Sequence, residues 1–389
     1  FDDRLPFQLT AGQTEVSAAI LADLARDRPM QRLLQGEVGS GKTVVALQAM
    51  LTVVDNGGQA ALLAPTEVLA AQHYQTIRSL LGDLGEGRML GAPDVATDVV
   101  LLSGSLPAAA KKSALLRAAS GEAGIVIGTH ALLADRVQFA DLGLIVVDEQ
   151  HRFGVEQRAV LADKASSRPH VLVLTATPIP RSVAMTIFGD LDVSTLAELP
   201  AGRADVATVV VDAATRPQWV DRAWERVREE VGTGRQAFVV VPRIASSAEG
   251  KGVVELADEL RSGPLADLRV GVLHGQLAGD AKDETMAAFA AGELDVLVAT
   301  TVIEVGVDVP NASMMVVWDA DRFGISQLHQ LRGRIGRGSH PGVCLLITSV
   351  PAGEPARARL DAIASTRDGF ELAELDLEQR REGDVLGCP

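Results

Sequence analysis

Residues 36–43 read Gly-Glu-Val-Gly-Ser-Gly-Lys-Thr, which fits the phosphate-loop pattern G-x-x-x-x-G-K-[ST]. A short apolar segment around Leu33 precedes this stretch, and a helical apolar pattern from Val44 to Leu51 follows it. The loop therefore lies between a buried strand and a helix N-terminus, where backbone N–H groups and the helix dipole favour an anion. We expect Lys42 to reach the β/γ-phosphates of a nucleotide and the Thr43 hydroxyl to hold Mg²⁺. The residues assigned to phosphate binding are Gly36, Gly39, Ser40, Gly41, Lys42 and Thr43.

The composition bounds the fold class. A chain of 389 residues suits two or three domains, and 47% of it is hydrophobic while only 3% is aromatic. Cores built from Ala, Val, Leu and Ile are typical of parallel sheets covered by helices. The composition therefore favours an α/β protein.

Cysteine usage and hydropathy indicate the compartment. The two cysteines, Cys344 and Cys388, allow one disulfide at most, so a reducing cytoplasm is the expectation. The sequence shows no apolar run as long as a membrane span and no secretory leader. It starts at Phe1, from which we expect a fragment or a processed form.

The net charge of −15 argues against tight, nonspecific binding of nucleic acid by this chain alone. A charge summed over two domains nevertheless says little about one groove, and a motor that moves along nucleic acid should not grip it too tightly.

A helix with a polar first turn precedes the phosphate loop. Thr10 is predicted to cap a helix from Ala11 to about Ala25. Gln13 lies in its first turn, and its amide could pair with the N6 and N7 edge of adenine. The alternative is a solvated glutamine on a helix surface.

Three further apolar strands end in residues that can donate hydrogen bonds to a phosphate backbone. They are followed by Thr66, by Ser103-Gly104-Ser105 and by Thr129. The alternative is ordinary helix capping, and Thr66 is predicted to cap a helix from Val68 to Leu81.

A β-branched run from Leu144 ends in Asp148 and Glu149, which places two carboxylates at the carboxyl end of a buried strand. Asp148 is predicted to bind the Mg²⁺ held by Thr43, and Glu149 to polarise the attacking water. His151 could make a structural hydrogen bond or relay the nucleotide state. A strand at Val171–Leu174 is predicted to complete one open parallel sheet.

The second half repeats β and α segments without a second phosphate loop. A Pro/Gly hinge is predicted at residues 199–203, and four apolar strands follow it between residues 236 and 318. The stretch 327–338 is predicted to place Arg334 and Arg337 one helical turn apart on one face. A guanidinium fork across a cleft can stabilise transition-state charge, with Arg337 favoured for that role. The alternatives are a solvated basic helix or a contact to DNA phosphates.

The tail from Pro351 is predicted to form a helix over residues 356–365, then a turn and a second helix.

Taken together, the motifs resemble superfamily-two helicases and translocases, and in particular the RecG family. The strings that carry the resemblance are Leu5-Pro6-Phe7 with Leu9-Thr10 and Gln13, Gly36–Thr43, Ala64–Glu67, Asp148–Val155, Thr175–Arg181, Thr300–Pro310 and Gln327–Gly338. The tail's Asp368-Gly369-Phe370 resembles the helical hairpin that RecG shares with the transcription-repair coupling factor Mfd.

The resemblance implies two RecA-like parallel-sheet lobes with a C-terminal helical hairpin, divided as 1–197, 198–350 and 351–389. It implies an ATP- and Mg²⁺-dependent motor on double-stranded and branched DNA, such as forks and Holliday junctions, for branch migration and fork reversal. By the same resemblance the protein would be a monomer, associated with the bacterial nucleoid and with single-strand-binding protein, and without a membrane partner. Gly306 and Asp308 would lie at the nucleotide cleft. The residues that would line the DNA track are Thr66, Thr129, His274, Thr300 and Thr301.

Departures from the family pattern and two alternatives qualify this interpretation. The tail reads Arg380-Arg381-Glu382-Gly383 where the family usually has Arg-Gly-Pro-Gly, and the wedge domain that precedes the RecG motor is not in this sequence. We therefore expect intact ATPase chemistry with weak fork binding and poor strand separation. The alternatives are an Mfd-like motor, against which Ser40 and Gln150 count, and a nucleotide-gated interaction module without productive turnover.

Overall fold

The computed structural model forms two compact units, Phe1–Pro200 and Ala201–Pro389. The structure describes residues 1–37, 39–85, 96–104, 106–134, 137–148, 168–176, 191–198, 205–243, 252–300, 309, 311–336, 340–369 and 371–376. The domain limits predicted at 197/198 and 350/351 stay predictions. Residues 351–376 fall within the second unit.

Unit 1 is built on a seven-stranded parallel sheet. The strands are β1 (Gln31–Gly36), β2 (Gln59–Leu63), β3 (Asp98–Leu102), β4 (Ala123–Gly128), β5 (Leu142–Asp148), β6 (His170–Thr175) and β7 (Asp192–Leu196). Their order across the sheet is β3-β4-β2-β5-β6-β1-β7. The described helices are α1 (Ala11–Leu24), α2 (Lys42–Asp55), α3 (Glu67–Leu81) and α4 (Ala108–Ser120).

Both faces of this sheet are buried, as a parallel sheet covered by helices requires. Along β5, Leu144 and Val146 face one apolar cluster, while Ile145 and Val147 face a second cluster on the opposite side. The predicted sheet was one strand short, because β7 pairs with β1 beyond β6. The sequence of β7, Asp-Val-Ser-Thr-Leu, is too polar to have been recognised as a strand.

Unit 2 contains a six-stranded parallel sheet in the order β10-β11-β9-β12-β13-β8. Its strands are β8 (Val206–Asp212), β9 (Gln236–Val240), β10 (Val270–Leu273), β11 (Val296–Ala299), β12 (Ala312–Val317) and β13 (Gly342–Thr348). The described helices are α5 (Gln218–Gly232), α6 (Val253–Ser262), α7 (Gly279–Ala290), α8 (Ile325–Arg332) and α9 (Pro355–Ser365).

The tail follows the predicted helix–turn–helix pattern as far as the structure describes it. Helix α9 corresponds to the first predicted helix, and residues 371–376 are helical after a break at 366–368. Leu360, Ile363 and Leu372 pack in one apolar cluster of unit 2. Both units are thus α/β folds of RecA-like type, as predicted.

Candidate functional site

The phosphate loop connects β1 to α2 with a backbone that favours glycine, as Gly41 and Gly36 illustrate. Gly41 is the N-cap of α2 and has a left-handed conformation with φ 84°. A Cβ on Gly36 would lie 2.9 Å from the backbone oxygen of Leu196 on the neighbouring strand β7. Because α2 has 14 residues, its first-turn N–H groups and its dipole offer a site for an anion.

Lys42 is turned onto the loop itself. Its Nζ donates to the carbonyl oxygens of Gly36 (2.7 Å) and Glu37 (2.9 Å), and the residue is 9% exposed. The Ser40 hydroxyl is buried without a hydrogen-bond partner among the described residues. Thr43, in the first turn of α2, is half-buried. A cationic lysine, glycines that leave room beside the backbone and an unsatisfied hydroxyl together fit a phosphate group.

Gln13 ties α1 to the phosphate loop. Its Nε2 donates to the Ser40 carbonyl oxygen (2.9 Å), and its Oε1 accepts from the Thr10 N–H (2.9 Å). The Thr10 hydroxyl accepts from the Gln13 N–H, which completes the predicted cap of α1 as a capping box. The alternative of a solvated glutamine is wrong, because Gln13 is 2% exposed. Each end of the amide keeps a second hydrogen-bonding capacity, and contact with adenine stays a prediction.

Asp148 ends β5, two strands from the phosphate loop. Both Asp148 and Leu34 lie opposite Leu174 of the intervening strand β6, so the carboxylate and the loop share the carboxyl edge of the sheet. Asp148 Oδ2 is 2.7 Å from Nε2 of His73, a residue of α3 that the sequence had not singled out. Glu149 lies outside the described residues.

The residues that we assign to Mg²⁺ are Asp148 and Thr43. The described residues contain no cluster of three or more His, Cys, Asp or Glu side chains that could hold a metal. Mg²⁺ is usually bound by one or two carboxylates together with substrate phosphates and water, so Asp148 and Thr43 fit such a site.

The predicted nucleic-acid residues of unit 1 lie on the other half of the same edge, after the neighbouring strands β3, β4 and β2. The Thr66 hydroxyl accepts from the Leu69 N–H (3.3 Å), and the Thr129 hydroxyl accepts from the Ala131 N–H (3.4 Å). Both hydroxyls therefore cap the turns that follow them, which is what the capping alternative expected. Contact with nucleic acid by Thr66 and Thr129 stays a prediction.

In unit 2, His274 and Thr300 follow the neighbouring strands β10 and β11. The Thr300 N–H donates to the Leu273 carbonyl oxygen (3.2 Å), which holds the two strand ends together. Nδ1 of His274 is buried without a hydrogen-bond partner in the part of the chain that the structure describes. Thr301, Gly306, Asp308 and Arg337 lie outside the described residues.

The predicted helical placement of Arg334 is wrong. Helix α8 ends at Arg332 with Gly333 as its C-cap, so Arg334 lies in the turn after the helix. Gly336 then has a φ of 69°, which is incompatible with a continued α-helix. Arg334 therefore lies outside the helix that was predicted to present it, and the placement predicted for Arg337 falls outside the described residues.

Arg332 joins α8 to the tail. Its guanidinium donates to the carbonyl oxygens of Ile363 and Thr366, both at 2.8 Å, and lies 2.9 Å from Nδ1 of His329. The residue is only 5% exposed. Nothing local in the sequence predicts the link to the tail, because its two carbonyl partners are more than 30 residues away.

Two family models match the chain. The DEAD/DEAH box helicase model covers residues 10–186, and the helicase conserved C-terminal domain model covers residues 222–339. No helix in the described part of the chain is long and apolar enough to span a membrane.

Curated relatives named ATP-dependent DNA helicase RecG match almost the whole chain. The protein of Mycobacterium bovis is 60% identical over 99% of this chain and 54% of its own length. That of Mycobacterium leprae is 59% identical, over 99% and 53%, and that of Synechocystis is 47% identical, over 100% and 45%. The chain thus spans about half the length of these relatives.

Solved structures agree. A structure of RecG bound to a three-way DNA junction matches with a TM-score of 0.80 at 41% identity, over 98% of this chain and 48% of that chain. Yeast Dbp5 bound to RNA and ADP BeF3 matches with a TM-score of 0.62 at 17% identity, over 97% and 94%, which shows the fold alone. The matching strings, both helicase models and this identity place the chain in the RecG family of superfamily-two helicases.

Proposed function

We propose that this chain is the ATP-hydrolysing motor of a RecG-type DNA translocase. The observation that carries the proposal is the shared sheet edge of unit 1, which brings a phosphate loop, the Asp148 carboxylate and the nucleic-acid candidates into one row. A RecG relative is known bound to a three-way junction, which supports double-stranded and branched DNA, including forks and Holliday junctions, as the track.

In this proposal, the triphosphate of ATP lies on the phosphate loop. The N–H groups of α2 bind it, and Lys42 exchanges two neutral carbonyl acceptors for phosphate oxygens. Mg²⁺ held by Thr43 and Asp148 would neutralise charge on the β- and γ-oxygens. Glu149 would polarise the attacking water, and Arg334 or Arg337 would stabilise the charge that develops on the transferred group.

Movement would follow from contacts on the candidate track: Thr66, Thr129, His274, Thr300 and Thr301. Gly306 and Asp308 would contact the nucleotide, and Gln13 would read the adenine edge. We further propose action as a monomer at the bacterial nucleoid, alongside single-strand-binding protein. The monomeric state, the association with the nucleoid and the single-strand-binding protein are supported by the family resemblance alone.

The first test is ATP hydrolysis without nucleic acid and with linear duplex, single strand and a model three-way junction. We expect the duplex or the junction to raise the rate. Equal, low rates on every substrate would instead support a nucleotide-gated module without productive translocation.

The assignment of the catalytic acid has its own test. Glu149→Gln should lower kcat by at least about 100-fold, because loss of a general base typically removes a factor of that size, while ATP binding persists. Lys42→Ala is the matched control, since it should weaken ATP binding itself. Unchanged turnover in Glu149→Gln would remove Glu149 from the mechanism.

A further inference from the structure

Neither helix α3 nor strand β5 needs the contact between His73 and Asp148 in order to form. His73 Nε2 lies 2.7 Å from Asp148 Oδ2, and the two side chains are 11% and 12% exposed. On α3, His73 lies three residues after Ala70 and four before Ile77, both of which are completely buried. This is the helix stripe that faces the sheet, where an apolar residue is the ordinary occupant. An imidazole in that stripe instead reaches the carboxylate that we assign to Mg²⁺.

The amino end of the same helix contacts the loops assigned to nucleic acid. Thr66 is its N-cap, and Glu67 Oε1 accepts a hydrogen bond of 2.7 Å from the N–H of Gly104, which follows β3. A Cβ on Gly104 would lie 2.7 Å from that same oxygen, so Glu67 fits closely against this loop. The start of α3 is therefore joined to the carboxyl ends of both β2 and β3.

Helix α3 thus connects two places with different chemistry. His73 lies seven positions after Thr66, which corresponds to roughly 10 Å along a helix axis at a rise of 1.5 Å per residue. Helix α3 has 15 residues and contains neither proline nor glycine, so its sequence offers no kink between Thr66 and His73. A displacement at its N-terminus would therefore reach His73, and through it Asp148.

We propose that His73 is a positioning residue that orients Asp148 toward the metal, and that α3 couples nucleic-acid contact at Thr66 and the Gly104 loop to that orientation. The proposal deepens the proposed function and rests on it. A hydrogen-bonded partner fixes the orientation of a metal-binding carboxylate, and removing such a partner typically costs 10- to 100-fold in metal affinity or activity. His73 supplies that bond from a helix whose first turn lies at the candidate track.

The test uses the full chain and two readouts. The first is the Mg²⁺ concentration that gives half-maximal binding of a fluorescent ADP analogue, without nucleic acid. The second is the ratio of ATP hydrolysis rates with and without linear duplex. His73→Leu removes the hydrogen bond at similar volume, and His73→Asn leaves a polar group that is too short to reach. His73→Gln places an amide nitrogen close to the position of Nε2.

We expect His73→Leu and His73→Asn to raise the half-maximal Mg²⁺ concentration by about tenfold or more and to reduce the stimulation by duplex, with His73→Gln restoring most of both. Ile77→Val is the matched control: it loosens the packing of the same helix without touching Asp148 and should change neither readout. Glu67→Ala breaks the link at the other end of α3. It should therefore keep the Mg²⁺ dependence of the wild-type chain and lose part of the stimulation.

Two results would overturn the proposal. One is a wild-type Mg²⁺ dependence in both His73→Leu and His73→Asn. The other is a change that Ile77→Val reproduces in proportion to its loss of thermal stability, which would make His73 a packing residue. If His73→Leu does not fold, the comparison of His73→Asn with His73→Gln decides the question. If duplex DNA does not stimulate hydrolysis by the wild-type chain, that result counts against the proposed function. The Mg²⁺ titration would still show whether the bond from His73 to Asp148 affects Mg²⁺ binding.

Discussion

At the scale of single residues, the groups that should bind the nucleotide already make hydrogen bonds within the fold. Lys42 bonds two loop carbonyl oxygens, and Gln13 bonds Ser40 and Thr10. In the proposed function, phosphate binding would replace the neutral acceptors of Lys42 with anionic ones, which form shorter and stronger bonds to an ammonium group. The side chains that we assign to the ligand are thus the same ones that organise the loop.

His170 gives unit 1 a pH-dependent stability that is independent of the nucleotide site. It lies at the amino end of β6, where its Nδ1 accepts from the Met30 N–H (2.9 Å). Burial holds the pKa of His170 below its ordinary value of 6.5, and Asp23 opposes this only in part. The unfolded chain therefore takes up a proton near pH 6.5, whereas the folded chain takes it up only at lower pH. The contribution of neutral His170 to the free energy of unfolding is therefore fully present above pH 6.5, and it is lost as the pH falls toward the pKa of His170 in the folded chain.

We expect His170→Asn to lose this component of the pH dependence, because its carbonyl oxygen can still accept from Met30 and does not titrate. The measurement is denaturant unfolding of both chains at pH 7.5 and pH 5.5. The wild-type chain should lose more stability than the variant on acidification, by no more than about 1.4 kcal/mol per pH unit. Equal losses would show that His170 is protonated as easily in the folded chain as in the unfolded one.

At the scale of elements, each of the two sheets has a buried glutamine at the start of a central strand that hydrogen-bonds the elements beside that strand. Gln59 begins β2, and its Nε2 donates to the carbonyl oxygens of Ala118 (2.9 Å) and Ala123 (2.7 Å). Gln236 begins β9 and donates in the same way to Phe289 (2.6 Å) and Leu294 (2.7 Å). In each unit a buried amide thus joins the start of a strand to the neighbouring helix and to the segment where the next strand begins, Ala123 in β4 and Leu294 just before β11.

We expect Gln59→Leu to destabilise unit 1 by about 3 kcal/mol or more. Gln59 is 2% exposed, and its Oε1 also accepts from the N–H groups of Ala140 and Asp141, so four backbone groups would each lose a hydrogen bond. Gln31→Leu is the control, because Gln31 begins β1 but is exposed, and it should change stability by less than about 0.5 kcal/mol. Chemical denaturation measures both, and equal small effects would show that water satisfies these groups.

Elements with a strong local pattern could be predicted, and those fixed by distant partners could not. The phosphate loop, the capped helices α1 and α3 and the apolar strand β5 carry their signals in a few neighbouring residues. The polar strand β7 forms because β1 offers it a free edge, which no local pattern reveals.

The site divides in the same way. Asp148 was predictable because it ends an apolar run, whereas His73 is recognised only once α3 is placed on the sheet and its imidazole reaches Asp148. The helix predicted through Arg334 ends earlier because two glycines in the stretch 333–336 favour turns over helix. The signal for that ending is present in the sequence as Gly333 and Gly336.

At the scale of the whole molecule, the residues that we assign to ATP hydrolysis are divided between the two units. Gln13, the phosphate loop and Asp148 belong to unit 1, whereas Arg334 and Arg337 belong to unit 2. Each unit has apolar clusters on both faces of its own sheet. From the proposed function we therefore expect folding and nucleotide binding to persist, and hydrolysis to be lost, when the units are separated.

We expect a fragment of residues 1–200 to fold and to bind a fluorescent ADP analogue in the presence of Mg²⁺, because every described residue assigned to the phosphates and the metal lies within it. Its hydrolysis should be at least about 1,000-fold slower than that of the full chain with duplex DNA, since an arginine that stabilises the transition state is worth that much or more. Circular dichroism, nucleotide titration and single-turnover hydrolysis measure the three properties. The same fragment with Lys42→Ala is the control, and its binding should be weaker. A fragment that hydrolyses ATP as fast as the full chain would show that neither Arg334 nor Arg337 takes part, and that unit 1 contains the complete catalytic machinery.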